Sequence, residues 1–234
     1  MSCRVALLRM EKDGLITLPP PRTKNWNGKP YKRKTSITNP KPLKEIPANA
    51  FGELNVEVVS RKSSALWNEY INRYHYLGYK PLPGAQLRYI IGSRGEVLAL
   101  LGFGASAWKV IDRDQFIGWT HEKRKQRLHL VINNARFLIL PWIRSRNLAS
   151  KILSLIAKRI SDDWEERYNY RPVLLETFVE CDRFDGACYK AANWTRVGIT
   201  KGRGKLDRDK KYELPKKYVF LYPLTKNFKR ILCA

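Results

Sequence analysis

The sequence predicts an α/β protein, because strand-like and helix-like segments alternate along its second half. Residues 136–140 are strand-like, with four apolar residues after Arg136, and Pro141 directly after them indicates that this strand splays away from its neighbour. Apolar residues then recur at helical spacing from Leu148 to Ile160, which predicts a helix that packs on a sheet. The remaining predicted elements of this half are a strand at 172–180, a helix at 186–194 and a strand at 196–201. This order is typical of domains that hold a phosphorylated cofactor beside reactive side chains.

The first half of the chain adds a helix and a hairpin. Apolar and aromatic side chains share one stripe up to Tyr74, which predicts a helix capped by Ser63 and Ser64. Residues 87–92 and 96–103 predict two strands joined by a tight turn. Residues 112–119 predict a loop, and Thr120 predicts the cap of a short basic helix.

Prolines and lysines dominate residues 14–50, so we expect an extended arm over 1–55. This arm is either a disordered tail or a segment that follows phosphates or packs over the core. The predicted domain covers 56–224, and a basic tail follows at 225–234.

Charge is the strongest compositional signal. The chain has 45 Lys and Arg against 21 Asp and Glu, a net charge of +24. Residues 1–50 carry +8 and residues 196–234 carry +9, so the two flanks hold most of the excess. Such flanks are typical of proteins that bind nucleic acid, and they lack the amphipathic helix that a membrane anchor needs. We therefore expect a DNA-binding, nucleoid-associated protein of the bacterial cytoplasm, with no membrane contact.

The residues expected to contact DNA are cations near the strand ends and one aromatic side chain that would stack on a base: Arg136, Lys201, Arg203, Lys205 and Trp194. The four cysteines form no closely spaced pair, so neither a zinc site nor a disulfide framework is predicted, and no metal is expected.

The loop before the long helix is the candidate cofactor site. A helix N-terminus exposes unpaired N–H groups, which bind phosphate. The expected cofactor-binding residues lie in and just after this loop: Arg144, Arg146, Asn147, Ala149 and Ser150. The alternative is an ordinary strand–helix crossover with exposed arginines.

Acidic residues on and after the 172–180 strand are candidates for a second kind of chemistry. Glu176 and Glu180 share one strand face, and Asp182 follows. Either glutamate acts as a general base, orients a nucleobase or forms a salt bridge with a neighbouring arginine. Together with Asp112 or Asp114, these acids also suggest a metal-dependent nuclease.

His75, Tyr76 and Tyr189 are the remaining candidate catalytic residues. Histidine can transfer protons near neutral pH, and tyrosine can stack on a base or act as an acid. Tyr189 would donate a proton to a leaving thiolate. For each of the three, a structural hydrogen bond or a packed aromatic ring is the alternative.

Taken together, several motifs resemble the DruA family, over about residues 10–224. They are His75-Tyr-Leu-Gly-Tyr79, Leu87-Arg-Tyr89, Arg113-Asp-Gln-Phe-Ile-Gly-Trp119, Asn134-Ala-Arg-Phe-Leu-Ile-Leu-Pro-Trp142, Asn147-Leu-Ala-Ser150, Glu176-Thr-Phe-Val-Glu180 and Gly186-Ala-Cys-Tyr-Lys-Ala-Ala-Asn-Trp194. The family is named from the Druantia anti-phage defence system, and relatives travel with transposases.

A more distant resemblance links the chain to Mom-type proteins, phage DNA-modifying members of the GNAT acetyltransferase superfamily. It places His75, Tyr76, Ser150, an acid near 180–182 and Tyr189 at functional positions. It implies a GNAT-like fold, with a mixed, splayed sheet and acetyl-coenzyme A as cofactor, its pyrophosphate on the loop before the long helix. The usual loop pattern is Arg-x-x-Gly-x-Gly/Ala, and Asn147 stands at the first glycine.

Three functions follow from these features. The first is a Mom-like transferase that modifies a nucleobase in duplex or single-stranded DNA, with His75, Tyr76, Glu180 and Tyr189 at the reaction centre. The second is an inactive GNAT-like module that brings a helicase or transposase to DNA. The third is a metal-dependent nuclease.

Overall fold

A computed structural model of the 234-residue chain describes residues 3–20, 33–202 and 214–234. Contacts divide the chain into two units, residues 1–32 and 33–234. In the first unit, the described element is helix α1, Cys3–Lys12. The second unit carries the sheet and the cavity described below.

The second unit alternates strands and helices. Its elements are β1 Lys44–Glu45, β2 Asn55–Val58, α2 Arg61–Tyr74, β3 Gln86–Ser93, β4 Glu96–Ala105, α3 Ile111–Ile117, α4 His121–Arg127, β5 Val131–Ile139, β6 Ile143–Arg144, α5 Leu148–Tyr168, β7 Leu174–Glu180, α6 Ala187–Ala191, β8 Thr195–Ile199, β9 Lys217–Pro223 and α7 Phe228–Cys233.

Seven of these strands form one sheet in the order β2-β3-β4-β5-β7-β9-β8. Every neighbouring pair is antiparallel except β5 and β7, which are parallel. The long helix α5 connects that parallel pair, as a crossover between parallel strands requires. The predicted mixed α/β sheet flanked by helices is confirmed.

Helix α5 covers the sheet with one apolar stripe. Leu148, Ile152, Ile156 and Ile160 are at most 1 % exposed, as their helical spacing predicts. The helix continues two turns beyond Ile160, because Trp164 extends the buried stripe. No helix in the described ranges is both long and apolar enough to cross a membrane.

Helix α2 ends beside the central strands. Ser60 and Ser63 form a reciprocal capping box, so the helix begins slightly earlier than predicted. The Trp67 ring lies so close to β4 that a Cβ on Gly102 would come within 3.0 Å of it. The Trp67 indole also donates a hydrogen bond to the Leu101 carbonyl, at 3.2 Å. These contacts set the position of the residues that follow α2.

Part of the predicted arm belongs to the second unit. Strand β1 pairs in parallel with β6, directly before α5. The buried carboxylate of Glu69 on α2 accepts hydrogen bonds from Thr35 and Thr38. The boundary therefore lies near residue 33, earlier than the predicted 55, because a buried acid binds this segment to the core.

The C-terminal residues also differ from the predicted tail. Residues 228–233 form α7, and Phe228 and Leu232 are buried against the ends of the central strands. Residues 112–119, predicted as a loop, contain α3. Thr120 caps α4 as predicted, by accepting a hydrogen bond from the Lys123 amide.

Candidate functional site

The two parallel strands at the centre of the sheet separate along their length. Strands β5 and β7 pair only from Val131 to Asn133 on β5, opposite residues 174–176. Next to this point β5 carries a bulge against β4, because Asn134 and Arg136 have partners there and Ala135 has none. A bulge bends a strand and increases its twist. Beyond Asn133 the β7 side of β5 therefore has no strand partner, and a cleft opens.

Asn134 holds this bulge in place. Its side-chain amide donates to the carbonyls of Gly102 and Arg136, at 3.3 and 3.0 Å. Its own carbonyl, freed by the separation of the strands, accepts from the Thr177 hydroxyl at 3.0 Å. The opening is thus a hydrogen-bonded feature of the fold.

A cavity of about 610 Å³ occupies this cleft. It is lined by the turn after α2, the diverging halves of β5 and β7, and the start of α6. It brings together His75, Tyr76, Arg136 and Tyr189, which are far apart in the chain. Three of the four predicted catalytic residues therefore line one cavity.

His75 caps the C-terminus of α2 and is neutral at physiological pH. Burial, and to a smaller extent the charge of Arg136, lowers its pKa from 6.5 to about 4. Its Nδ1 accepts a hydrogen bond from the Leu77 amide at 3.2 Å. The proton of the neutral ring therefore resides on Nε2. This favours hydrogen-bond donation over the proton transfer near neutral pH that the residue type predicts.

Tyr189 lies on α6, which begins where the chain passes very close to β9. Gly186 has φ +72°, and a Cβ there would come within 2.5 Å of the Phe220 ring. The Tyr189 hydroxyl donates to Asn134 Oδ1 at 2.8 Å. Burial raises the pKa of Tyr189, so the phenol stays protonated.

Tyr76 forms an aromatic rim at the mouth of the cavity. It is 39 % exposed, stacks on the His75 ring at 4.9 Å and lies 5.6 Å from the ring of Phe184, which is 50 % exposed. The Arg183 guanidinium lies 5.1 Å from the Tyr76 ring centroid. Glu180, the fourth predicted catalytic residue, accepts a hydrogen bond from Arg183 at 3.0 Å and is not part of the cavity lining.

Two polar groups of the cavity lack the partners that buried groups normally have. Arg136 is half-buried, and no carboxylate among the described residues lies within ion-pair distance of it. Among the described residues, its guanidinium donates one hydrogen bond, to the Ala135 carbonyl at 2.7 Å. Burial lowers the pKa of Arg136, but an arginine remains charged. The Asn133 Oδ1 atom is buried without a hydrogen-bond donor. Lys217 also lines the cavity and likewise has no ion pair among the described residues, so the cavity offers unpaired positive charge beside an unpaired acceptor.

Cys188 also lines the cavity. Burial raises its pKa to about 11, so it stays a thiol and is a poor nucleophile.

The predicted cofactor loop has the backbone that a phosphate site needs. Asn147 has φ 65° and ψ 0°, the left-handed conformation usually reserved for glycine. The amides of Ala149 and Ser150 have no acceptor among the described residues, whereas the Ser150 hydroxyl donates to the Asn147 carbonyl at 3.1 Å. Arg144 and Arg146 are exposed beside them. Of these five residues, Ala149 lines the cavity.

The predicted DNA contacts divide into three groups. Arg136 lies in the cavity, and Lys201 is exposed just beyond β8. Arg203 and Lys205 lie outside the described residues. Trp194 is a core residue, 4 % exposed, with its ring 5.1 Å from that of Tyr189. Its buried ring has no face for a base, which corrects the prediction that it stacks on nucleic acid.

Glu176 takes part in a buried ion pair. Its carboxylate accepts from Arg113 at 2.8 Å and from the Ala107 amide at 2.8 Å, and both charged side chains are 0 % exposed. Across the described ranges, no group of three or more His, Cys, Asp or Glu side chains could hold a metal ion. The salt-bridge alternative for Glu176 is therefore correct, and the nuclease hypothesis loses its central acid.

Comparison with known families decides the relationship of the chain. Residues 9–210 match the family described as Druantia protein DruA. This chain belongs to the DruA family. No curated protein matches its sequence significantly.

Solved structures similar to this DruA-family chain are acetyltransferases. The ribosomal-protein-S18-alanine N-acetyltransferase from Escherichia coli has 11 % identity and a TM-score of 0.43, with 74 % of this chain and 95 % of that one covered. An acetyltransferase of the GNAT family from Streptococcus pneumoniae has 11 % identity and a TM-score of 0.48, with 74 % and 100 % covered. The aminoglycoside acetyltransferase AAC(6')-Ib, in complex with coenzyme A, has 14 % identity and a TM-score of 0.47, with 76 % and 98 % covered.

Sequence reasoning missed several residues of the DruA-family cavity. Asn133, Asn134 and Thr177 were not predicted as site residues, and neither was Phe184. A signal for the first two is present, because two adjacent asparagines interrupt an otherwise apolar strand and buried polar groups need partners. Phe184 has no such signal, since its exposure depends on the turn after β7.

Proposed function

We propose that this protein is a transferase of DNA defence that modifies a nucleobase in the cleft between β5 and β7. The observation that carries the proposal is the separation of these strands beyond Asn133, with His75, Tyr189 and the unpaired cation of Arg136 on the walls of one cavity. Membership of the DruA family supports a role in anti-phage defence. The net charge of +24 supports a polyanionic substrate.

The cleft fits an acyl-coenzyme A cofactor in two respects. The unpartnered edge of β5 offers backbone groups to an extended, amide-bearing chain, as strand edges do for peptides. The free amides of Ala149 and Ser150, with Arg144 and Arg146 beside them, suit a pyrophosphate. Acetyl-coenzyme A, when bound, supplies an activated acetyl group as a thioester.

The side chains of the cavity have distinct roles in this proposal. His75 donates a hydrogen bond from Nε2 to a carbonyl or anionic oxygen, since its Nδ1 is occupied by the Leu77 amide. Tyr189 stays protonated and serves as the proton donor to a leaving group. Arg136 binds a phosphate of the substrate strand, because it is a half-buried cation without an ion pair in the cavity wall.

Tyr76 and Phe184 bind the base itself. Their exposed rings at the mouth of the cavity offer a stacking surface. A base reacts there only after it leaves the duplex stack or when the DNA is single-stranded. We therefore expect single-stranded DNA to be the better substrate.

The test is mass spectrometry of nucleosides from single-stranded DNA incubated with the protein and acetyl-coenzyme A. We expect one new nucleoside whose added mass corresponds to the transferred group. Its yield should fall at least tenfold in His75→Phe and in Arg136→Gln, because these variants remove the donor and the cation. Absence of a new nucleoside, together with no thermal stabilisation by acetyl-coenzyme A, would refute the proposal.

A second candidate is a binding module that brings a helicase or transposase to DNA. The favouring observation is that two predicted catalytic groups are already engaged, Tyr189 by Asn134 and Glu180 by Arg183. This candidate predicts DNA binding without a new nucleoside, and it predicts that His75→Phe leaves complex formation with the partner unchanged.

A further inference from the structure

An exposed tryptophan stands at the far end of the central strands from the cavity. Trp108 follows β4 and is 57 % exposed, which is unusual for the largest apolar side chain. The Arg124 guanidinium lies 5.6 Å from the centroid of its ring. Arg124 itself is buried, so a fixed cation supports the exposed ring.

Ion pairs and hydrogen bonds fix both the residue before this tryptophan and the arginine that contacts its ring. In the preceding residue, the Ala107 amide donates to Glu176 at 2.8 Å, and the Ala107 carbonyl accepts from Arg113 at 2.7 Å. Arg124, which contacts the ring, donates to Asp114 at 3.0 Å, and Asp114 also accepts from Arg113 at 2.8 Å. The network therefore connects the centre of the sheet to the surface ring. Such a preorganised aromatic loses little conformational entropy on binding.

The surface around Trp108 is strongly basic. Helix α4 contacts α7, and α3 contacts α7 as well. Six cations on or just before these helices have no carboxylate within ion-pair distance among the described residues: Lys109, Lys125, Arg127, Lys226, Lys229 and Arg230. The acids on the same segments are Asp112, Asp114 and Glu122, of which Asp114 belongs to the buried network. The unpaired cations therefore outnumber the acids on this surface, and its charge is positive.

This surface and the cavity are at opposite ends of β5. The apolar cluster beneath α3, α4 and α7 includes Val131 and Leu174, at the beginning of the two parallel strands. The cavity is lined by residues 133–139 of β5. At about 3.3 Å per residue, and with a bulge between them, Val131 and Phe137 are at most about 20 Å apart.

We propose that Trp108 with the basic faces of α4 and α7 forms a second binding surface, whose ligand is single-stranded nucleic acid. Exposed lysines and arginines bind the phosphates, and the Trp108 ring stacks on an unpaired base. A duplex satisfies the cations but presents no base to the ring, which is why a single strand fits better. Binding here is independent of the chemistry proposed for the cleft.

The test is fluorescence anisotropy of the full chain with a labelled oligothymidine of about 15 nucleotides, a length suited to one aromatic and basic groove. Trp108→Ala should weaken binding by about 5- to 100-fold, the range expected for one stacked base. Trp108→Phe should retain most of the affinity, because the ring remains. A duplex of the same length should bind with little dependence on Trp108.

Charge reversal has a matched control on another face. Lys125→Glu with Lys229→Glu removes cations of this surface, whereas Lys62→Glu with Lys158→Glu changes the net charge equally on α2 and α5. The first pair should lower affinity much more than the second and should reduce the salt dependence of binding by about 0.7 per lost phosphate contact.

Three results would overturn the proposal. One is wild-type affinity in Trp108→Ala. Another is an equal loss from both charge-reversal pairs, which would indicate diffuse attraction. The third is Trp108-dependent binding to vesicles of anionic phospholipid without binding to the oligonucleotide. Arg136→Gln separates the two sites, because a cleft variant should leave Trp108-dependent binding intact while it abolishes nucleobase modification.

Discussion

Polar side chains on the two neighbouring strands β5 and β7 differ in whether they have hydrogen-bond or ion-pair partners. Where β5 and β7 are paired, Glu176 is completely buried, and Arg113 and the Ala107 amide satisfy it at 2.8 Å each. Where the strands have separated, Arg136 has no carboxylate partner in the described part of the chain, and at the last paired position the Oδ1 atom of Asn133, which borders the cavity, has no donor. Both halves contain a partly or fully buried arginine beside the sheet.

This difference separates polar groups that stabilise the fold from polar groups that are available to a ligand. A buried charge is tolerated when its hydrogen bonds are complete, and its removal then leaves the partner uncompensated. A polar group that remains unpaired in a cavity weakens the folded state slightly and is available to a ligand. We therefore expect substitutions to lower stability in the paired half and to lower function in the open half.

The largest expected effect is on Glu176. Glu176→Gln should lower the free energy of unfolding by about 3–5 kcal/mol, because Arg113 keeps a buried charge without its counterion. Urea unfolding followed by circular dichroism measures this. The control is the double replacement Arg113→Met with Glu176→Leu, which should recover much of the loss. A loss below about 1 kcal/mol in Glu176→Gln would place the pair among weakly contributing salt bridges.

Two adjacent asparagines offer the next comparison. Asn134→Ala should cost about 1–3 kcal/mol, since it leaves the Tyr189 hydroxyl and the Gly102 carbonyl without a partner. Asn133→Ala should cost within about 0.5 kcal/mol, because its Oδ1 has no donor to lose. Both are measured in the same unfolding experiment, and equal losses would contradict the distinction between satisfied and unpaired polar side chains.

The free energy of unfolding should depend on pH through the protonation of His75. Its pKa is about 4 in the folded chain and near 6.5 in the unfolded chain, so the unfolded state binds the proton first as pH falls. Stability is therefore lost between about pH 6.5 and 4, by about 1.5 kcal/mol after allowance for solvent screening. His75→Gln should lack this component.

Nuclear magnetic resonance tests the cause of that shift. The chain has three histidines, so the His75 ring resonance can be assigned by substitution. Its pKa should rise in Arg136→Gln, because the neighbouring cation contributes to the lowering. An unchanged pKa in that variant would show that burial acts alone.

The smallest expected effect on stability belongs to Arg136. Arg136→Gln should change the free energy of unfolding by no more than about 0.5 kcal/mol, since no ion pair is broken. Arg113→Gln is the matched control, with an expected loss like that of Glu176→Gln. A large destabilisation by Arg136→Gln would mean that its hydrogen bond to Ala135 is structural and that the open half is not specialised for a ligand.

Local patterns predicted many elements correctly. The stripe from Leu148 to Ile160 predicted α5, Thr120 predicted the start of α4, and two strand-like segments joined by a tight turn predicted the β3–β4 hairpin. Helix α3 was missed because it spans only seven residues and buries Arg113, so its periodicity is weak. Strand β9 was missed because it follows a basic segment whose charge dominates the local composition.

The candidate site was predicted only in part. His75, Tyr76 and Tyr189 were identified by residue type and resemblance, and the cavity brings them together. The role of Trp194 could not be predicted, since burial depends on how β8 and α6 pack. No local pattern specifies that the side chain of Asn134 will satisfy groups on two other elements, β4 and α6.

The sequence by itself determined the alternation of strands and helices, the excess of positive charge and membership of the DruA family, because periodicity, composition and motifs are properties of the chain. Only the tertiary structure decided which charges are paired. Glu176 and Arg136 are both ionisable residues on neighbouring strands, yet one meets its counterion and the other faces a cavity. The physical reason is that β5 and β7 stop pairing beyond Asn133, next to the bulge at Ala135, so Arg136 faces a cavity instead of a neighbouring strand.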